Sequence, residues 1–321
     1  MIALLGAFLR LVRWPNLVFI FLTQLLFYYF IQLPVHDQPF GEFPLVLRPR
    51  LFYLLAASSV LIAAAGYIIN DYFDLNIDRV NKPNRLVVDR IIRRRSTILW
   101  HWLLSGLGLL LSFYVSWRIR NPLVAVGNLG CVILLYFYST TFKRKMLIGN
   151  IIISLLTAWV ILVLYIAELY WPGFADNDYR RFLSTLFKFA IVYSSFAFLL
   201  SMIREVIKDI EDMDGDMKYG CRTMPIVWGV NVAKVFAGTL IVVLLGALVI
   251  LQFYVLQKAW FPLTMYGVLL VDLPLLFILR RLYTARTKTE YHRLSNIIKL
   301  VMLAGILSII LAKGLPWIGS F

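Results

Sequence analysis

Apolar residues come along this chain in runs of about twenty, and polar residues are confined to short stretches between them. A helix needs about 20 mainly apolar residues to cross a bilayer. On that measure the pattern predicts nine spanning helices, over 16–34, 51–70, 97–117, 122–140, 149–170, 182–203, 232–256, 260–279 and 297–318. The opening stretch, MIALLGAFLRLVRW, has neither the basic start nor the small-residue cleavage site of a signal peptide. It reads instead as an interfacial segment leading into the first span. No stretch between spans is long enough for a separate soluble domain. The expected fold is therefore all-α, a polytopic membrane bundle forming one domain over 1–321.

Composition sharpens this picture. The 321 residues are 61% hydrophobic and 15% charged, with a formal net charge of +15. The positive charge is not spread as a nucleic-acid surface requires. It sits in RVNKPNRLVVDRIIRRR (79–95), KRK (143–145), the 204–222 loop and RRLYTARTKTEYHRL (280–294). These are alternate loops, so all four fall on one side, and no nucleic-acid partner is expected. The intervening loops, PVHDQPFGEFPLVLRPR, WRIRNP, WPGFADNDYRR and QKAW, carry fewer cations for their number. The positive-inside rule makes the basic side the cytoplasm, in a cell inner membrane, with the N-terminus in and the C-terminus out. Two cysteines and three scattered histidines offer neither a disulfide framework nor metal-ligand spacing.

Two acid-rich segments break the apolar pattern, both on the basic side. The first, NDYFDLNIDRVNKPNR (70–85), directly follows a spanning run. At roughly 100° per residue, Asn70, Asp71, Asp74 and Asp78 share an arc of roughly 100°, before Pro83 ends the helix. The second is REVIKDIEDMDGDMKYG (204–220). There Asp209, Asp212 and Asp216 lie within roughly 60° of one another, while Glu211 and Asp214 point away. Gly215 and Gly220 limit that helix to about Gly215. Carboxylates one turn apart repel, and a cation relieves them. All-oxygen donors select hard ions, and Mg²⁺ takes one or two carboxylates and fills its shell with water and phosphate. Two such clusters suit a diphosphate clamped by Mg²⁺, with Lys82, Arg85, Lys143, Arg204, Lys208 and Arg222 holding phosphate oxygens. Solvated loop acids are the plain alternative for either cluster alone. An EF-hand counted from Asp212 fails, because its sixth and twelfth positions are Met217 and Thr223.

A diphosphate at the mouth of an apolar bundle points to a lipid diphosphate. For an allylic one, C–O cleavage leaves a carbocation that must be kept from water and that aromatic faces stabilise. Tyr67, Tyr136, Tyr138 and Tyr193 are available for this.

These segments resemble the UbiA superfamily of intramembrane prenyltransferases. NDYFDLNIDRVNKPNR matches its NDxxDxxxD signature, and KDIEDMDGDMKYGCRTMPI its second, DxxxD motif. RWPN (13–16) resembles the start of its first helix, and YSTTFKRKMLIGN (138–150) the segment entering its fifth. The resemblance implies a helical bundle around a central cavity capped by the two motifs. It implies Mg²⁺ at Asn70, Asp74, Asp78, Asp212 and Asp216, with Asp71 and Asp209 beside them as catalytic carboxylates. It adds Lys143, Arg85 and Lys208 as diphosphate contacts and Arg13, Asn16, Tyr138 and Asn150 as substrate contacts. The substrates implied are an allylic prenyl diphosphate and a lipid or aromatic acceptor. Where many members continue with PLPSG, this chain has LVVDRIIRRR, which leaves the metal site intact and bears on the acceptor. KDIEDMDGD looks most like the branch that alkylates geranylgeranylglyceryl phosphate, with quinone-pathway prenylation of an aromatic acid the alternative. A cation or proton transporter is the rival from another class. It predicts acids near mid-membrane on broken helices, whereas these acids lie at helix ends.

Overall fold

The computed structural model describes residues 2–37, 44–81, 87–169, 176–258 and 260–312. Lys82 and Arg85 lie outside them. The described residues form helices α1 (Ile2–Leu11), α2 (Trp14–His36), α3 (Pro49–Asn81), α4 (Arg94–Ile119), α5 (Pro122–Thr140), α6 (Ile148–Glu168), α7 (Asn177–Glu211), α8 (Met213–Lys218), α9 (Met224–Val227), α10 (Val230–Gln257), α11 (Phe261–Thr284) and α12 (Lys288–Ala312). Nine of these are long and apolar enough to cross a membrane, one for each run read in the sequence. No strand occurs among the described residues.

Three boundaries differ from the hydropathy reading in ways that matter. Helix α3 has 33 residues and α7 has 35, so each rises about 50 Å against a hydrocarbon core of about 30 Å. Both run past their apolar segments: α3 carries Asn70, Asp71, Asp74 and Asp78 outward as continuous helix, and α7 carries its acids as far as Glu211. The basic stretch 280–294, expected as a loop, is mostly helix, with only Ala285–Thr287 between α11 and α12. The ninth span accordingly starts at Lys288 rather than at 297.

Small residues let the central helices approach closely. Ser58 of α3 donates to the Gly108 carbonyl of α4 at 2.7 Å. Buried apolar side chains fall into separate groups at the two ends of the bundle. At the end bearing the acids, Leu200, Ile203 and Ile207 of α7 pack with Ala237, Leu275 and Ile298. On the same end, Ala7 and Leu11 of α1 pack with Ala64 and Ile68 of α3. At the far end, Phe27, Phe52, Leu164, Phe182 and Ile309 form the third group. Large apolar side chains such as Trp102, Trp117, Val126, Ile250 and Phe253 point outward, as lipid contact requires.

Candidate active site

The two acidic segments meet. Asn81, the last residue of α3, is buried against α8. Its Nδ2 donates to the Asp212 carbonyl at 3.0 Å, and its Oδ1 accepts from the Gly215 amide at 3.1 Å. A Cβ on Gly215 would lie 2.5 Å from the Asn81 side chain, so glycine is required for this approach. The Asn81 contact also accounts for a departure from the expected geometry. The second cluster is not one regular helix: α7 stops at Glu211, Asp212 caps it, and α8 sets off again from Met213. Asp209 therefore belongs to α7, Asp212 to the break and Asp216 to α8. Asp214 is exposed. Glu211, expected to point away, is buried, and accepts from His292 of α12 at 2.9 Å and pairs with Lys208 at 3.2 Å.

Along α3, Asp71 and Asp74 are tied to different neighbours. Arg13 sits at the corner between α1 and α2 in the left-handed region (φ 52°), a conformation that costs a non-glycine residue energy. That corner aims its guanidinium at Asp71, 2.7 Å away, and lays it over the Tyr67 ring at 5.0 Å. Lys143, in the short turn between α5 and α6, bonds Asp74. Burial pulls its ammonium down from the ordinary range to about 7, with Arg144 adding to the fall. Cys221, Asp216 and Asp71 oppose that fall by favouring the charged form. The turn is held in place by the Arg222 amide, which donates to the Arg144 carbonyl at 2.8 Å. Asp78, one turn beyond Asp74, is half-buried, as is Asp216. On α7, Lys208 pairs with Asp212 at 3.0 Å, Arg204 with Glu205 at 2.6 Å, and Asp209 accepts from Asn150 of α6 at 2.9 Å.

Beneath these groups lies a cavity of about 460 Å³. Arg13, Asn16, Asn70, Tyr138 and Arg204 line it toward the acids, and Ile62, Leu135, Ile153, Leu156 and Leu303 line its body. Asn70 turns a buried Oδ1 that has no hydrogen-bond partner among the described residues. Deeper in, Asn128 donates to Ser112 at 2.9 Å and accepts from Trp159 Nε1 at 2.9 Å. A smaller hollow of about 140 Å³ between α7, α10, α11 and α12 contains none of the acids described above.

Sequence reasoning passed over three cavity residues, Glu205, Asn128 and Lys299. The last two stand alone inside apolar runs, VGNLGCVILL and NIIKLVMLAG, and an isolated polar residue at membrane depth is itself a signal. Among the described residues, no three His, Cys, Asp or Glu side chains converge closely enough to hold a metal by themselves. The arrangement is instead two carboxylate-bearing helix ends, interspersed with cations, facing one another over an apolar chamber.

Comparison with known proteins fits this arrangement. The sequence matches the UbiA prenyltransferase family over residues 40–303. It is 27% identical to a digeranylgeranylglyceryl phosphate synthase of Methanosphaera stadtmanae, over 79% of this chain and 85% of that protein. It is 32% identical to one of Methanothermobacter thermautotrophicus, over 60% of this chain but only 62% of that protein's length. A solved structure of a digeranylgeranylglyceryl phosphate synthase superposes with a TM-score of 0.59 at 24% identity, covering 96% of this chain and 99% of the other. A UbiA homologue from Archaeoglobus fulgidus, bound to DMAPP and Mg²⁺, superposes with a TM-score of 0.56 at 18% identity, covering 94% and 98%.

Proposed function

Since the chain belongs to the UbiA prenyltransferase family, we propose that it transfers a prenyl group from an allylic prenyl diphosphate to a phosphorylated lipid alcohol of the geranylgeranylglyceryl phosphate type. The observation that carries this reading is the interlock of Asn81 with Asp212 and Gly215, which holds both acidic segments over one apolar cavity. The relatives named as digeranylgeranylglyceryl phosphate synthases support the choice of acceptor.

The donor set is all oxygen, and the buried, unpartnered Oδ1 of Asn70 fits a hard cation. Among the described residues no three acids converge, and Mg²⁺ needs only one or two carboxylates when phosphate completes its shell. Asn70, Asp74 and Asp78 would hold one ion, and Asp212 and Asp216 a second. Bound there, Mg²⁺ supplies neutralisation of the charge that builds on the departing diphosphate. Lys143 and Lys208 are placed to take over phosphate oxygens from Asp74 and Asp212. The allylic C–O bond breaks and the acceptor oxygen bonds the same carbon. The acceptor's hydroxyl proton passes to a carboxylate, for which Asp71 and Asp209 are the candidates, and diphosphate leaves. Tyr138 and Tyr67 offer ring faces near the developing cation, and the apolar chamber keeps water from it. The basic residues gathered at this end, Arg93, Arg94, Arg95, Lys143, Arg144 and Lys145 among them, support a cytoplasmic side for the site, with the N-terminus on the same side.

The test is diphosphate release by purified protein given geranylgeranyl diphosphate, with and without Mg²⁺. The acceptors would be geranylgeranylglyceryl phosphate, 4-hydroxybenzoate and a dihydroxynaphthoate. Mg²⁺-dependent release with the first alone is expected. Release only with an aromatic acid would overturn the acceptor assignment and keep the reaction.

A further inference from the structure

Three cations line the cavity: Arg13, Arg204 and Lys299. Two are neutralised within the fold, Arg13 by Asp71 and Arg204 by Glu205. Lys299 has no hydrogen bond or ion pair among the described residues. The strongest charges acting on it are mostly cations, Arg204, Lys208 and Arg13, set against the acid Glu205. It lies in the apolar run NIIKLVMLAG, about 16 Å along α12 from Lys288. A lysine at that depth, facing other cations, is costly unless an anion joins it.

Register along the helices says which anion. Glu211 of α7 meets His292 of α12 at 2.9 Å, and the two helices run in opposite directions. Stepping seven residues inward from that contact on each helix reaches Arg204 and Lys299. They stand at one level, about 10 Å below the line of Glu211 and Asp212. The diphosphate of the donor belongs at that upper line, where Lys143 and Lys208 serve it. An anion at the lower level is a different group. The wall next to Lys299 continues as Leu300, Met302 and Leu303, so the molecule carrying the anion is apolar beyond it.

From this, and resting on the prenyl-transfer reading, we infer that Lys299, with Arg204 opposite, is the anion subsite for the phosphate of the lipid acceptor. The subsite anchors the acceptor below the diphosphate, with its hydroxyl toward the allylic carbon.

The experiment is equilibrium binding of geranylgeranylglyceryl phosphate, its dephosphorylated alcohol, and phosphatidic acid to the full chain in detergent. Neither Mg²⁺ nor prenyl diphosphate is present. Wild type should prefer the phosphate to the alcohol by about tenfold or more, as a charge-assisted contact gives. Lys299→Gln should lose that preference and Lys299→Arg should keep most of it, while affinity for geranylgeranyl diphosphate with Mg²⁺ stays unchanged in both. If Lys299→Gln weakens the diphosphate substrate instead, the lysine belongs to the donor site and the inference is wrong. No preference in wild type, or no change in the variant, overturns it equally. Phosphatidic acid bound as tightly and with the same Lys299 dependence would make this a general lipid site and not an acceptor subsite. Lys299-dependent binding without prenyl transfer to any acceptor would sink the reaction reading alone. Transfer that is indifferent to Lys299 would sink the subsite alone.

Discussion

The two ends of the bundle both bury carboxylates and treat them in opposite ways. At the far end, Glu168 closes α6 with no exposed surface. Its Oε1 accepts from Gln32 Nε2 at 2.6 Å and from the Leu47 amide at 3.0 Å, and its Oε2 accepts from the Val46 amide at 3.1 Å. Tyr179 bonds its backbone carbonyl as well. Each side-chain oxygen is committed to the fold, so this acid ties α2, α6 and the segment before α3 together. At the other end, among the described residues, Asp209 accepts from Asn150, Asp71 accepts from Arg13, and the Asn70 Oδ1 has no hydrogen-bond partner. A buried acid saturated with backbone donors is a staple. Acids such as Asp71 and Asp74, each bonded by a cationic side chain, form a site that can exchange those partners for a ligand.

Removing groups at each end separates these roles. The largest effect is expected at the acids. Asp74→Ala and Asp212→Ala should each lower turnover by about a thousandfold, the scale of losing transition-state charge stabilisation, with the melting temperature nearly unchanged. Chelation of Mg²⁺ should reproduce that loss in wild type and be reversed by adding the ion back, as followed by diphosphate release. Near-normal turnover in either variant would remove that residue from the metal site. Glu168→Ala should do the reverse. It leaves three donors without an acceptor, costing about 3–5 kcal/mol in stability, while turnover per folded molecule is kept. A denaturation midpoint that does not move would show that Glu168 is no staple.

Gly215→Ala probes the join between the motifs. Its Cβ would meet Asn81 at 2.5 Å, so α8 must shift away from α3. Overpacking of this kind costs about 1–3 kcal/mol. Turnover should fall by about tenfold to a hundredfold, because the two sets of acids no longer face one diphosphate in register. A loss of stability with normal turnover would mean that Asn81 holds the fold and not the site.

How much of this was readable beforehand depends on the range of the interaction. The nine spans are local facts of hydropathy, and the stripe Asn70, Asp74, Asp78 is a local fact of helical period, so both stand in the sequence. The outward extension of α3 and α7 is not visible to hydropathy, because those turns are polar, and it is the helical stripes of acids that point to it. Lys288–Leu294 is polar without such a stripe and reads as loop. The break at Asp212 is held by Asn81, 131 residues earlier, which donates to the Asp212 carbonyl and accepts from the Gly215 amide in the first turn of α8. No window along the chain contains both partners. Arg13 and Asp71 are likewise joined across 58 residues. Lys299 was legible in principle, as a lone lysine in an apolar run, but only the cavity shows which way it faces.

The smallest expected effect is also the most discriminating for the second cluster. Asp214 lies in α8 between two residues that look inward, Asp212 at the break and the buried Gly215, yet it is itself exposed. Near the start of a helical turn a carboxylate contributes about 0.3–1 kcal/mol through the backbone dipole, and solvent screens that further. Asp214→Ala should therefore change turnover by less than about twofold, measured beside Asp216→Ala, which sits two residues on and should be severely impaired. The contrast tests orientation and not charge, since both variants remove one carboxylate from the same short helix. A severe loss at Asp214 with a mild one at Asp216 would mean that α8 turns its other face to the diphosphate when substrate is bound. The second motif would then be rebuilt by its ligand, in contrast to the far end, where Glu168 keeps its partners throughout.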